Sequence, residues 1–189
     1  MNERIDVSNV KLETERLILR PFEESDLDDF YEYAKVEGVG EMAGWYHHQS
    51  IEESKRILNI FMEEKKTLAL VHKETKKVIG SVGLEKYNEK YYKDYDNLRG
   101  LELGYVLSKD FWGKGLMPEA VKRVIKYLFE EQDLDFITCG HFIKNSQSKR
   151  VIEKCGFHFV SEGIFEGKIG KIADRNYILK KEEYQDGEI

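Results

Sequence analysis

The feature that most constrains the fold is a strand that passes through a glycine-rich turn directly into a helix. Residues 101–107 read LELGYVL, and their alternation predicts a β-strand with two unlike faces. Residues 121–129 read VKRVIKYLF, with apolar positions at helical spacing, which predicts an amphipathic helix. Between them lies DFWGKGLMPEA, where we expect Pro118 at the first helical position because the N–H that it lacks would have no partner there.

The rest of the chain reads as strands with a few inserted helices. Further strands are predicted at residues 16–20, 68–72, 78–87 and 136–143, with two more between residues 157 and 179. Helices are predicted after an N-cap at Ser25, after Ser50 in a Ser-x-x-Glu capping box, and from Asn145 to a left-handed Gly156. Because most strands are joined by hairpins, the pattern favours a mixed α+β sheet with one or two crossovers. We see no linker, so residues 1–189 are expected to form a single domain.

Composition and charge exclude several classes of protein. The formal net charge of −6 and the absence of a basic cluster argue against a nucleic-acid partner. No apolar run approaches the roughly 20 residues that span a bilayer, and the first residues lack the apolar core of a signal peptide. We therefore expect a cytoplasmic protein with no membrane partner. Cys139 and Cys155 have no metal-ligand spacing, and His47 and His48 have no third ligand in view, so no metal site is expected.

The glycine-rich turn suits an anionic ligand, but its glycines alone do not identify one. The free N–H groups and the dipole of a helix N-terminus favour an anion at such a turn. A Walker A loop needs GxxxxGK[ST], which does not occur in this chain. A dinucleotide fingerprint needs a third glycine at the position that Pro118 occupies. A plain tight turn into a helix remains the alternative.

Five motifs taken together are more specific than the turn. In order, the chain carries TERLILRPF, IGSVGL, ELGYVL, WGKGLMPEA and N-x-x-S followed by EKCGF. This set resembles the GNAT superfamily of acetyl-CoA-dependent N-acetyltransferases, and within it the branch of the ribosomal-protein alanine acetyltransferases. The resemblance covers residues 12–179, nearly the whole chain. It implies a mostly antiparallel sheet of about seven strands, splayed in the middle and flanked by about four helices.

The resemblance also implies a reaction and a cofactor site. Acetyl-CoA would serve as co-substrate and give its acetyl group to a primary amine that attacks the thioester directly. The backbone amides of one loop would hold the pyrophosphate: Gly113, Lys114, Gly115, Leu116 and Met117. Val106 and Leu107 would supply strand backbone for the pantetheine arm and an N–H for the oxyanion, and Asn145 would contact the same arm.

Three positions depart from the superfamily pattern. Trp112 stands where Gln or Arg is common, although Trp is usual in this branch. Met117 replaces a small residue, so its side chain must point away from the phosphates. Ile152 occupies the position where many members carry a tyrosine that acts as general acid, so the chemistry must use another group.

Each of the remaining candidate residues has both a functional and a purely structural interpretation. Ser148 resembles the serine that the branch places near the thiol sulfur, and otherwise it is an ordinary first-turn serine. Glu102 is the candidate general base, and otherwise it is a solvated strand carboxylate. Trp45 and Tyr87 are candidate walls of the acceptor cleft, and otherwise they pack beneath loops or in a homodimer contact. His141, on the next strand, titrates near neutrality but is left out because a lone strand histidine is more often structural.

The acceptor itself stays open at this point. A small-molecule amine and a protein N-terminus both fit a reaction of this kind. An alternative from another class is a catalytically silent acyl-CoA-binding sensor or assembly protein, because the usual tyrosine is missing. A nucleotide-binding module with no preference for CoA is a third hypothesis.

Overall fold

A computed structural model describes residues 1–185, so the last four residues of the predicted domain lie outside it. The chain forms one eight-stranded sheet in the order β1-β2-β3-β4-β5-β6-β8-β7. The strands are β1 Leu12–Glu13, β2 Leu17–Pro21, β3 Thr67–His72, β4 Val78–Glu85, β5 Gly100–Leu107, β6 Phe136–Phe142, β7 His158–Gly167 and β8 Gly170–Lys180. The helices are α1 Leu27–Ala34, α2 Ile51–Glu64, α3 Leu116–Glu130, α4 Ser146–Lys154 and α5 Lys181–Gln185.

The mixed α+β architecture agrees with the prediction. Neighbouring strands are antiparallel except for β5 and β6, which are parallel and joined through α3. The sheet has one strand more than the expected seven because the two-residue β1 pairs with β2, and α5 adds one helix. Elements this short have no periodicity that a sequence pattern can detect.

The sheet opens between β5 and β6. Their parallel pairing runs only from Gly100–Leu103 on β5 against Phe136–Cys139 on β6. β5 then continues to Leu107 alongside β4 alone, while β6 follows β8. The splay that the resemblance implies is therefore present, and it leaves a gap directly before the glycine-rich turn.

The two largest of three apolar clusters lie on the two faces of the sheet, and the third is formed by Tyr87, Tyr92, Phe136 and Ile178. One of the two contains α3 and the C-terminal half of α4 packed on Leu101 and Leu103, with Tyr105 and Leu107 at its margin. The other contains α1 and α2, with Val106 packed against it. The two predicted faces of β5 thus meet different helices. Successive side chains of β5 therefore point alternately toward the face covered by α3 and toward the face covered by α1 and α2.

Helix ends agree with the predicted caps at two of three positions. The Ser50 hydroxyl accepts the Glu53 N–H at 3.2 Å, although the Glu53 carboxylate accepts from Gln49 rather than completing the capping box. Asn145 caps α4 by accepting the Ser148 N–H at 3.1 Å, and α4 ends before Gly156, at φ +80°.

The predicted cap at Ser25 is wrong. Ser25 lies inside a short 3₁₀ turn, and α1 begins after it at Leu27. The carboxylate of Asp26 accepts the Glu23 N–H at 2.8 Å and is bound by both terminal nitrogens of Arg20. These bonds stabilise the 3₁₀ turn that precedes α1, and Ser25 lies inside that turn rather than capping the helix.

Candidate active site

A cleft of about 1190 Å³ fills the gap between the splayed strands. Its floor is β5 from Glu102 to Leu107 together with Gly140–Phe142 of β6. The N-terminal ends of α3 and α4 border one side, and parts of β7, β8 and the segment around Met42 border the other. Nearly all of the predicted cofactor-binding positions meet here, although they come from three separate stretches of sequence.

The glycine-rich turn has the backbone that its sequence predicts. Gly113 and Gly115 both lie at φ +75°, a region that side-chain-bearing residues rarely adopt. A Cβ at Gly113 would have no atom within 4 Å, and at Gly115 only the Arg16 guanidinium, at 3.6 Å. The glycines are therefore needed for conformation, and the space above them is open to a ligand.

Helix α3 starts earlier than predicted. Gly115 is its N-cap, so Pro118 is the third helical residue rather than the first. The difference costs no hydrogen bond, because N–H groups throughout the first turn lack a partner within the helix. Leu116 and Met117 are buried in the core, so the bulk of Met117 points away from the turn as expected.

An ion pair ties the turn to the start of β2. The Arg16 guanidinium donates to the Lys114 carbonyl at 2.8 Å and to the Glu119 carboxylate at 2.7 Å. Glu119 also accepts from the Thr14 hydroxyl and the Arg16 N–H. Burial alone would raise the pKa of Glu119, but these hydrogen bonds outweigh it and the pKa is lowered. The turn is thus held in place before any ligand arrives.

The first turn of α4 also brings polar groups to the cleft. Ser148 is only 9% exposed and lines the cleft. Asn145 also lines it, and its amide donates to the Met42 carbonyl at 3.3 Å. The Tyr105 hydroxyl lies 2.9 Å from the Ser148 hydroxyl. Sequence reasoning did not single out Tyr105, and its only signal was a hydroxyl on the otherwise apolar face of β5.

Glu102 lies on the opposite face of β5 and also lines the cleft. Burial, and next the negative charge of Asp174, raise its pKa to about 7. The Thr138 hydroxyl is 3.5 Å away, at the limit of a hydrogen bond. A carboxyl group with this pKa can exchange a proton near neutral pH, which is the property that a general base requires.

Asp174 and Asn176 complete this side of the cleft. They lie two positions apart on β8, and the register through β6 places them on the sheet face of Glu102. Asp174 Oδ1 and Asn176 Nδ2 are buried and belong to the few such atoms with no hydrogen-bond partner among residues 1–185. Burial also raises the pKa of Asp174. This side of the cleft thus carries two carboxyl groups and unused hydrogen-bonding capacity.

The structure places neither Trp45 nor Tyr87 on the wall of the cleft. Trp45 packs against His48 beside the α1–α2 core. Tyr87 is 3% exposed and packs edge-on against Phe136, with ring centroids 5.1 Å apart. Burying an aromatic ring stabilises the fold more than leaving it on a wall, so both serve packing. The loop after β4 instead contributes Asn88 and Tyr91 to the cleft.

The three histidines considered for metal binding or catalysis are each hydrogen-bonded to other protein groups. His47 bonds the Glu41 carboxylate at 2.8 Å, and His48 bonds the Ser54 hydroxyl at 2.7 Å. His141 is buried between the Phe142 carbonyl and the Tyr177 hydroxyl. Across residues 1–185 there is no group of three or more His, Cys, Asp or Glu side chains that could hold a metal ion. Within the same residues no helix has the length and apolar character to cross a membrane.

Comparison with known proteins matches this geometry. A family model described as the acetyltransferase (GNAT) domain matches residues 16–158. The uncharacterized N-acetyltransferase YoaA of Bacillus subtilis (strain 168) is 28% identical over 158 residues, covering 81% of this chain and 84% of the relative.

Two solved structures from other bacteria share the fold. The ribosomal-protein-S5-alanine acetyltransferase of Vibrio fischeri has a TM-score of 0.71 at 22% identity, covering 93% of this chain and 99% of that one. Spermidine N-acetyltransferase of Vibrio cholerae, in complex with CoA and spermine, has a TM-score of 0.70 at 19% identity, covering 91% and 99%. Because the family model spans most of this chain, the protein belongs to the GNAT family and is an N-acetyltransferase.

Proposed function

We propose that this chain, acting as a single domain, transfers the acetyl group of acetyl-CoA to a primary amine. The observation that carries the proposal is the glycine-rich turn at the N-terminus of α3, which opens onto the gap between β5 and β6. The spermidine N-acetyltransferase of similar fold was solved with CoA, which supports CoA as the ligand. Both cysteines are free and buried, in keeping with a reducing cytoplasm.

The pyrophosphate of CoA would be held by backbone N–H groups of residues 113–117. Several converging amides at a helix N-terminus bind an anion without needing a charged side chain, and each charge placed there is stabilised by roughly 0.3–1 kcal/mol at an exposed site. The pantetheine arm would enter the gap beside Val106, Leu107 and Asn145. Strand β5 lacks a partner there on the β6 side, so its backbone has hydrogen-bonding capacity to spare.

Acetyl transfer then needs a proton acceptor, an oxyanion donor and stabilisation of the leaving thiolate. The amine nitrogen forms its bond to the acetyl carbon and gives one proton to Glu102. A backbone N–H at Val106 or Leu107 stabilises the oxyanion. The electron pair of the breaking C–S bond goes to sulfur. Ser148 hydrogen-bonds the resulting thiolate, which gains a proton from solvent.

The acceptor is a small-molecule amine or a protein N-terminus. Relatives of similar fold include enzymes named for each kind of acceptor. The carboxyl groups of Glu102 and Asp174 favour an acceptor that arrives as an ammonium ion, because an opposite charge stabilises their ionised forms. That ion gives one proton to solvent before the neutral amine attacks and gives a second proton to Glu102.

Two measurements test the proposed function. Acetyl-CoA is expected to raise the melting temperature more than ATP or NAD does, and a panel of amines and peptide N-termini is expected to release CoA thiol with at least one member. Binding without thiol release from any acceptor would favour the silent acyl-CoA sensor. A larger effect of ATP or NAD than of acetyl-CoA would favour a nucleotide-binding module.

The side chain of Lys114 separates backbone binding from charge attraction. Its ammonium lies over the Phe111 ring, 4.9 Å from the centroid. We expect Lys114→Ala to weaken acetyl-CoA binding only about two- to fivefold, since one exposed charge near an anion contributes under about 1 kcal/mol. Isothermal titration at two salt concentrations measures the effect. A loss above about 50-fold would mean that the side chain, not the backbone, holds the pyrophosphate.

A further inference from the structure

The leaving thiolate requires an oriented donor, and helix α4 carries no phenol for it. Ile152 stands where many superfamily members have a tyrosine, and its side chain is buried in the core. Ser148 remains, but a serine hydroxyl is both a donor and an acceptor and its proton can rotate. A serine serves a thiolate efficiently only if another group fixes the direction of that proton.

Strand β5 supplies a phenol at this point. Tyr105 lies 43 residues before Ser148 in the chain, and its Oη is 2.9 Å from Ser148 Oγ and 3.2 Å from the Ser148 carbonyl oxygen. Both side chains line the cleft. Among residues 1–185, Tyr105 is the one side chain hydrogen-bonded to the Ser148 hydroxyl.

The Tyr105 hydroxyl keeps its proton and can donate it in a hydrogen bond. Burial raises the pKa of Tyr105 well above its ordinary value, so the phenol keeps its proton at neutral pH and is a poor acid. The phenol has one proton to donate, either to the Ser148 carbonyl or to Ser148 Oγ, and the geometry permits both. When Tyr105 donates to Oγ, the proton of the serine is free to point elsewhere, and the cleft is the open direction.

We propose that Tyr105 is a positioning residue for acetyl transfer: its hydroxyl donates to Ser148 Oγ and turns the serine proton toward the leaving sulfur. Tyr105 itself loses no proton in this arrangement, so proton balance is unchanged from the proposed reaction. The inference rests on the proposed function, because it assigns the task of Ser148 in that reaction. It also explains how a chain with Ile152 in place of the usual tyrosine manages the leaving group.

A double-mutant cycle tests the proposal on the full-length enzyme. Tyr105→Phe keeps the ring and removes only the hydroxyl. It is expected to lower kcat about tenfold in the wild-type background, with KM for acetyl-CoA changed less than threefold. In the Ser148→Ala background the same change is expected to lower kcat less than twofold, because the group through which Tyr105 acts is gone.

Tyr184→Phe is the control, since it removes a phenol hydroxyl that donates to the Glu130 carboxylate at 2.5 Å, and neither residue lines the cleft. It should leave kcat unchanged in both backgrounds. Equal losses from Tyr105→Phe in both backgrounds, or no loss in either, would overturn the proposal. If Tyr105→Phe does not fold, Tyr105→His and Tyr105→Leu are compared in the wild-type background instead. Histidine keeps a ring N–H donor, so Tyr105→His is expected to retain a higher kcat than Tyr105→Leu. Equal losses of kcat in these two variants would overturn the proposal. Wild-type enzyme that releases no thiol with any amine would refute the proposed function as well, whereas equal losses with active wild type refute this inference alone.

Discussion

Replacing Glu102 by glutamine is expected to lower kcat/KM for acetyl transfer about 100- to 1,000-fold. This range is typical for the loss of a general base. The substitution keeps the size and hydrogen-bonding reach of the side chain but removes its ability to take a proton from the amine. Thiol release under saturating acetyl-CoA, with the best acceptor of the panel, measures the change.

Glu85→Gln is the matched control. Glu85 pairs in register with Glu102 on the neighbouring strand, but its carboxylate is bound by Lys66 at 2.7 Å and does not line the cleft. We expect this variant to keep its rate within about threefold. A comparable loss in both variants would show that the effect comes from strand charge rather than from a base.

The pH profile gives an independent view of the same residue. Only the carboxylate form of Glu102 can accept a proton, and that form increases as the pH rises through a pKa of about 7. Wild-type kcat/KM should therefore rise through this range, on top of any rise caused by deprotonation of the acceptor amine itself. The Glu102→Gln profile should retain only the amine's contribution. Profiles of identical shape would exclude Glu102 as the base.

The same substitution should stabilise the fold at neutral pH, which is the expected signature of a functional carboxylate. The pKa of Glu102 is raised from 4.5 in a free side chain to about 7, so the folded state binds this proton more tightly than the unfolded state. Stability linked to that proton is fully present below about pH 4.5 and is lost as the pH rises through about 7. Glutamine avoids the loss, so urea unfolding at pH 8 should show Glu102→Gln more stable by about 1–3 kcal/mol. At pH 4 the two proteins should be alike.

The parts of the fold that sequence could predict are those set by neighbouring residues. The two faces of β5, the cap at Asn145 and the left-handed glycines follow from alternation, side-chain chemistry and backbone sterics within a few positions. Each of these features forms through local contacts. Local patterns did not suffice everywhere, because the predicted cap at Ser25 and the predicted first helical position of Pro118 are both wrong.

The parts that could not be predicted depend on contacts between distant segments. The hydrogen bond between Tyr105 and Ser148 exists because the opening of the sheet brings β5 under the first turn of α4. Tyr87 is aromatic and close to a long loop, which favours a wall position, yet Phe136 from another strand covers it. No sequence pattern around Tyr87 indicates that it packs against a strand residue 49 positions later.

The glycine-rich turn depends on both kinds of contact. Its backbone conformation is set by neighbouring residues, whereas the cleft onto which it opens is formed by distant segments. Gly113 has a positive φ and an open space above it, and neither property is explained by packing. A tight turn alone would tolerate a side chain in that space at the cost of strain. A binding cradle would not, because the added atoms would occupy the volume that the ligand's phosphates need.

We therefore expect Gly115→Val, and likewise Gly113→Val, to weaken acetyl-CoA binding about 100-fold while lowering stability by only about 1–2 kcal/mol. Gly170→Val is the matched control. Gly170 also has a positive φ, at +101°, with nothing within 4 Å of an added Cβ, but it lies in the β7–β8 turn outside the cleft. It should show the same loss of stability with unchanged affinity. Titration calorimetry and urea unfolding on the three variants separate strain from blockage, because strain affects all three and blockage only the first two. If Gly113→Val and Gly115→Val bind acetyl-CoA as tightly as Gly170→Val does, the pyrophosphate is held elsewhere.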